Sequence, residues 1–274
     1  AEAVAAIGAR PVFCDVDPGT RNVTVQTVRA ALTPATTAVV AVDLFGVPAP
    51  TPELAQLGVP VLEDAAQAAG ATLHGRRAGA LGRVATFSFY PSKNLACFGD
   101  GGAIATDDGE LAELARALRY HGSHDKQTFT YVGYNSRLDE LQAAVLRVLL
   151  GQLDGWTQGR RAAGAAYAAE GRGRFVTLPD VPVGADPAWH LYVVAHPHAD
   201  ALARELNRRG IQARGYYRTP LHRQPAMSAF AGAGAGLPVT DELARTNIAL
   251  PMSPVLGVEQ VREVVGAIAA AAPA

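Results

Sequence analysis

Lysine is almost missing from this 274-residue chain: Lys93 and Lys126 are its only two, and arginine supplies the rest of the 24 basic residues. A guanidinium effectively never deprotonates, so any role that needs a neutral amine nucleophile falls to one of those two positions. Cysteine is equally scarce. Cys14 and Cys97 form no CxxC pair, which excludes a disulfide framework and points to a reducing, cytoplasmic setting in which both are small hydrophobes. No apolar run reaches the roughly 18 to 20 residues of a membrane-spanning helix. Charge of either sign is not in excess: 25 acidic residues leave a formal net charge of −1, so the chain offers no electrostatic footprint for nucleic acid or an anionic membrane. Ala1–Ile7 has neither the charged n-region nor the apolar h-region of a signal peptide. The opening reads like the middle of a domain, and the expectation is a chain without its N-terminal segment.

What is present is a 49% hydrophobic sequence long enough for two packing units. Short apolar runs at 11–16, 38–42, 59–62, 84–89 and 102–106 alternate with helical stretches, which predicts an α/β fold with a mainly parallel sheet covered by helices, its strands buried on both faces. Asp107 or Asp108 is placed to cap a helix running to about Tyr120. Leu138, Leu141, Val145, Val148 and Leu149 recur at helical spacing and predict a long packing helix. Beyond Trp156 an Ala/Arg-rich helix and a Gly/Pro-rich passage at 171–187 suggest a domain junction, giving a large domain over 1–156 and a smaller α+β domain over 157–274. Within the latter, strands are expected at 190–195 and 211–214, helices at 199–209 and from Val258, and a loop around the Ala/Gly run 231–236.

Two places concentrate chemistry. Glu63-Asp64-Ala65-Ala66-Gln67-Ala68-Ala69-Gly70 sets a carboxylate at the end of an apolar strand, followed by small residues that allow close approach. Thr86-Phe87-Ser88-Phe89-Tyr90-Pro91-Ser92-Lys93-Asn94-Leu95 sets a rare lysine just past another, ahead of Gly99-Asp100-Gly101-Gly102. A cap and a surface lysine would explain each alone. Together they match the joint requirement of pyridoxal chemistry: an amine that condenses with the aldehyde, and a carboxylate that keeps the pyridine nitrogen protonated. Ser88 is of the right type for a phosphate donor. The glycines fit neither GxxxxGK[ST] nor GxGxxG opening a helix, which disfavours a nucleotide P-loop or a dinucleotide site. His121 with His124, and His196 with His198, lack a third ligand, so no metal is expected.

With Gly8-Ala9-Arg10-Pro11-Val12-Phe13 before these blocks and Gly133-Tyr134-Asn135-Ser136-Arg137-Leu138-Asp139-Glu140-Leu141-Gln142-Ala143-Ala144 after them, the chain resembles the DegT/DnrJ/EryC1/StrS sugar aminotransferases over nearly its whole length. Tyr216-Tyr217, Pro220-Leu221-His222 and Leu250-Pro251-Met252 are similar to the family's C-terminal landmarks. The resemblance implies the fold type I, aspartate aminotransferase-like fold of enzymes dependent on pyridoxal 5′-phosphate. It implies Lys93 as the Schiff-base lysine, Asp64 on the pyridine nitrogen, Gln67 near the ring 3-hydroxyl oxygen and Ser88 on the phosphate. It also implies an obligate homodimer with shared active sites, in which Asn135 reaches the partner's cofactor phosphate. Tyr217 and His222 are candidates for the sugar or nucleotide pocket. Family members begin before this chain does, and the segment that precedes its first residue in them carries a phosphate-cradling loop.

The implied reaction passes an amine from an amino acid, by resemblance L-glutamate, to a ketosugar, with Lys93 holding the cofactor and then moving a proton. Gly122, Ser123 and Lys126 upstream of Gly133 look similar to members acting on nucleoside-diphosphate-linked 3-ketohexoses. 4-Keto sugars and the cyclitol ketone scyllo-inosose share the scaffold. Two rivals remain: sugar deoxygenation dependent on pyridoxamine, whose members carry histidine in place of the lysine, and a catalytically silent homologue serving as a dimerising or regulatory module.

Overall fold

The computed structural model describes residues 1–171, 175–230 and 236–271. Its strands are β1 (Val39–Val42), β2 (Val61–Asp64), β3 (Thr72–Leu73), β4 (Arg76–Arg77), β5 (Val84–Ser88), β6 (Gly102–Ala105), β7 (Ala185–Asp186), β8 (Tyr192–Ala195) and β9 (Asn247–Leu250). Its α-helices are α1 (Glu2–Ala6), α2 (Val25–Ala31), α3 (Thr51–Ala55), α4 (Gly109–Arg119), α5 (Glu140–Leu150), α6 (Leu153–Glu170), α7 (Ala199–Arg208), α8 (Pro238–Thr246) and α9 (Val258–Ala271). None is long and apolar enough to cross a membrane among the described residues. The chain divides into two compact units, crossing between them after Thr36, Gln158, Pro182 and His190. The first 36 residues thus group with the C-terminal half, while 183–190 return to the unit that holds 37–158.

That second unit is built on a sheet of order β1-β2-β5-β6, parallel through β5 and closed by antiparallel β6. The parallel register brings Val42 beside Asp64 and Asp64 beside Thr86, so both chemistry-bearing strands end together. Small residues make the neighbouring core: Ala65, Ala68, Ala71, Ala78 and Ala188 pack with Phe87. Burial on both faces is not reached at the sheet's edges, where Val40 and Ile104 stay exposed. An edge strand has one neighbour instead of two, and the charge-poor sequence does not announce which strands lie there. Asp108 caps α4 as expected, its Oδ1 accepting the N–H groups of Glu110 and Leu111 at 3.0 and 3.1 Å. The packing helix is α5, yet Leu141 and Val148 on its apolar stripe are exposed and Leu146 supplies the burial.

In the first unit the antiparallel pair β8-β9 carries a core with α7 and α9 contributing Leu202, Leu206, Val261, Val264 and Ile268. Residues 11–16, read as a strand, join no ladder. Pro11 has no N–H to give, and Asp15 turns its carboxylate to the start of α8, accepting from the N–H groups of Val239 and Thr240 at 3.0 and 2.8 Å. The strand expected at 211–214 reduces to one bridge between Arg214 and Ala249. The Ala/Gly run 231–236 lies, but for Gly236, outside the described residues.

Candidate active site

The ends of β2 and β5 position the candidate groups. Asp64 closes β2, half-buried, with Oδ1 accepting the Ala66 N–H at 3.1 Å; no second donor reaches that carboxylate among the described residues. Ser88 closes β5, and its Oγ accepts the Tyr90 N–H at 3.4 Å. The chain then turns tightly, Lys93 N–H donating to the Tyr90 carbonyl at 2.8 Å. Beyond that turn Leu95 and Cys97 sink into a cluster with Leu146 and Leu153, so a buried anchor holds the lysine's segment. Gly101 belongs to the same construction, because a Cβ there would stand 2.9 Å from the Cys97 sulfur.

Lys93 is itself half-buried. Desolvation pulls its ammonium below the ordinary lysine range, and the Asp64 carboxylate opposes that shift. The two residues, separated by 29 positions in sequence, therefore feel each other's charge. An amine made less basic by burial and placed in the field of an acid is chemically fit for nucleophilic and proton-transfer work.

Gln67 lies just after β2, its Oε1 accepting the Phe45 N–H at 2.6 Å. Phe45 is held at φ +60° and the adjacent Gly46 at φ +89°. A Cβ on Gly46 would meet the His190 backbone nitrogen at 2.7 Å, so only glycine fits where 183–190 crosses. Asn94, beside the lysine, is buried and donates from Nδ2 to the Ala188 carbonyl at 2.8 Å, while its Oδ1 faces His190 Nδ1 at 3.2 Å. Asn94 and His190 escaped the sequence reading, since nothing local links positions 96 apart.

Asn135 sits elsewhere, exposed on the loop between α4 and α5, bridged by backbone to Tyr120. Its Oδ1 accepts from Arg137 at 2.6 Å, which leaves the amide donors without a partner among the described residues. Lys126 and Arg137 both lie over the Tyr120 ring, at 5.3 and 5.6 Å. The Lys126 hydrogen bond, and then both cationic charges, hold the Tyr120 phenol below its ordinary range.

Tyr217 and His222 belong to the other unit. His222 Nε2 lies 3.0 Å from Asp241, which also pairs with Arg223, so the imidazole is tied into a surface network. Tyr217 is exposed and packs edge-on against Tyr216. His196 uses Nδ1 to accept the His198 N–H at 3.0 Å.

Comparison with known proteins places the chain in a family. The model of the DegT/DnrJ/EryC1/StrS aminotransferase family matches residues 1–269. A protein of Geobacillus stearothermophilus named pleiotropic regulatory protein is 42% identical over 276 residues, covering 98% of this chain and 74% of that one. The dTDP-3-amino-3,4,6-trideoxy-alpha-D-glucose transaminase of Streptomyces venezuelae is 44% identical over 277 residues, covering 97% and 72%. The crystal structure of S. venezuelae DesV in complex with a ketimine intermediate superposes with a TM-score of 0.93 at 43% identity, covering 97% of this chain and 73% of that one.

Proposed function

Because the chain belongs to the DegT/DnrJ/EryC1/StrS aminotransferase family, we propose that it transfers the amino group of L-glutamate to a nucleoside-diphosphate-linked keto-deoxyhexose. The cofactor is pyridoxal 5′-phosphate, which supplies an aldehyde for the amine and a ring that withdraws electrons from the reacting carbon. The donor set suits it. Lys93 would supply the amine, the uncommitted oxygen of Asp64 would meet the ring nitrogen, Gln67 would lie toward the 3-hydroxyl, and Ser88 would donate to the phosphate. The observation that carries this reading is that parallel β2 and β5 bring Asp64 and the segment of half-buried Lys93 to one edge of the sheet, where burial makes the amine less basic and the Asp64 charge opposes that shift. As a free amine, Lys93 would move a proton at the substrate carbon, a role that a less basic amine suits.

The sugar reading is supported by relatives named as nucleotide-sugar transaminases, among them the Streptomyces enzyme above, and by the Lys126–Arg137 pair, two cations with no carboxylate within 4 Å among the described residues. The homodimer is supported by two features. Asn135 keeps its amide donors uncommitted on an exposed loop, and Val132 on that loop and Leu141 and Val148 on α5 expose apolar side chains. Tyr217 and His222 are proposed at the sugar end, His222 oriented by Asp241.

The purified chain, supplied with the cofactor, should show a visible absorption band that bleaches with L-glutamate and is absent from Lys93→Ala. A colourless wild type would sink this reading in favour of a silent module. Coupled assays across nucleotide-linked 3-keto and 4-keto sugars and scyllo-inosose identify the acceptor; turnover of scyllo-inosose alone would replace the sugar by the cyclitol.

A further inference from the structure

Beneath the candidate site lies a pair of acids that the reaction does not use. Asp43 follows β1 and Glu63 lies within β2; both side chains are fully buried. Glu63 accepts three backbone N–H groups, from Gly79 at 2.6 Å, Leu81 at 2.8 Å and Gly82 at 3.2 Å. Asp43 accepts one, from Ala49 at 2.8 Å on Oδ1, and its Oδ2 finds no donor. An ionised Asp43 would leave a buried carboxylate oxygen bare beside a second carboxylate. As a carboxylic acid, Asp43 carries a proton that its bare oxygen can offer to Glu63, the neighbouring acid whose charge it feels.

The backbone around Asp43 leads to both groups assigned to the cofactor ring. Its N–H donates to the Asp64 carbonyl at 3.0 Å, which ties the end of β1 to that residue. Its Oδ1 closes the loop 43–49 through Ala49, and within that loop Phe45 N–H holds the Gln67 side chain. The same loop receives Ala188, whose N–H donates to the Gly46 carbonyl at 2.8 Å.

We propose that Asp43 acts as a carboxylic acid and as the positioning residue for Asp64 and Gln67, through the proton it offers to Glu63 and its closure of the 43–49 loop. Burial first, then the charges of Glu63 and Asp64, raise its pKa to about 9, against the hydrogen bond from Ala49 that lowers it. The charged groups that face it are those two acids on β2. The unfolded chain gives up the Asp43 proton near pH 3.8 and the fold keeps it to about 9, so folding takes up a proton across this window. The contribution of Asp43 to stability is therefore whole below the window and falls steadily as pH rises through it.

The inference rests on the cofactor reading for what is positioned, so its test has two arms. Thermal unfolding of the full chain without added cofactor is followed from pH 5 to 9 for wild type and Asp43→Asn, whose amide donates without titrating. The wild-type midpoint should fall relative to the variant as pH rises; parallel curves overturn the proposal. Binding of pyridoxal 5′-phosphate is then titrated by the visible band. Asp43→Asn should bind within about 3-fold of wild type with the band unmoved, and Asp43→Ala about 10-fold more weakly. Equal binding by Asp43→Ala, or loss of binding by a stably folded Asp43→Asn, overturns it. A wild type that forms no band sinks the cofactor reading, while the pH arm still decides whether Asp43 is an acid.

Discussion

The floor of the site and the loop at 120–137 solve opposite problems within one unit. At the floor, Asp43 and Glu63 are fully buried and backbone N–H groups from two segments, Ala49 and the turn at 79–82, converge on their carboxyls. On the loop, Lys126, Asn135 and Arg137 are exposed, and two cations share one tyrosine ring. A buried acid tolerates little displacement, because losing one donor leaves a charge in a poorly solvating interior. An exposed cation loses little when its neighbour moves, because water replaces the partner. The contrast teaches that rigidity here follows burial: the groups assigned to a planar ring rest on the floor, and those assigned to a second subunit or a charged substrate are held loosely.

The comparison breaks most sharply at Lys93. Lys93→Ala should abolish turnover, by about 10⁴-fold or more, and remove the visible band; an intact half-reaction with glutamate would end the assignment. Asp64→Asn should slow that half-reaction by about 10² to 10⁴-fold in single-turnover measurements with the fold retained, and a near-normal rate would refute its place at the ring nitrogen. Glu63→Ala should cost about 3 to 5 kcal/mol in denaturant unfolding, since three backbone donors and Asp43 lose their acceptor; a loss below about 1 kcal/mol would show the floor to be no more demanding than the loop.

Asn135→Ala should weaken cofactor binding by about 10-fold without changing thermal stability. Mixed with Lys93→Ala at a cofactor concentration too low to load Asn135→Ala alone, and allowed to exchange subunits, it should recover up to about a quarter of wild-type turnover, because each hybrid dimer has one intact site. No recovery would remove Asn135 from a shared site. Least affected should be Arg77→Ala, which deletes an exposed ion pair with Asp154 at 2.8 Å; a midpoint shift above a few degrees would contradict the rule that exposure makes such pairs weak.

Much of the candidate site was legible because its signals are local. Lys93 stands out as one of two lysines, Asp64 as an acid ending an apolar run, and both lie where a parallel sheet gathers its strand ends. The helix cap at Asp108 needed only the residues that follow it. Residues 11–16 misled because an apolar stretch reads alike whether it joins a ladder or crosses the surface to cap α8. The apolar stripe of α5 misled about burial, since periodicity says which residues share a face and not what covers it.

By itself the sequence determined the chemistry available: which amine, which acids, and the α/β alternation that sets them at strand ends. Tertiary structure alone decided that Asp43, 20 positions before Glu63, is fully buried within reach of its charge, and that Asn94 holds a segment arriving from residue 188. The reason is that burial is a property of the assembled fold. An acid in water keeps its ordinary proton affinity, and only neighbours brought from distant parts of the chain strip away that water and set what the group does.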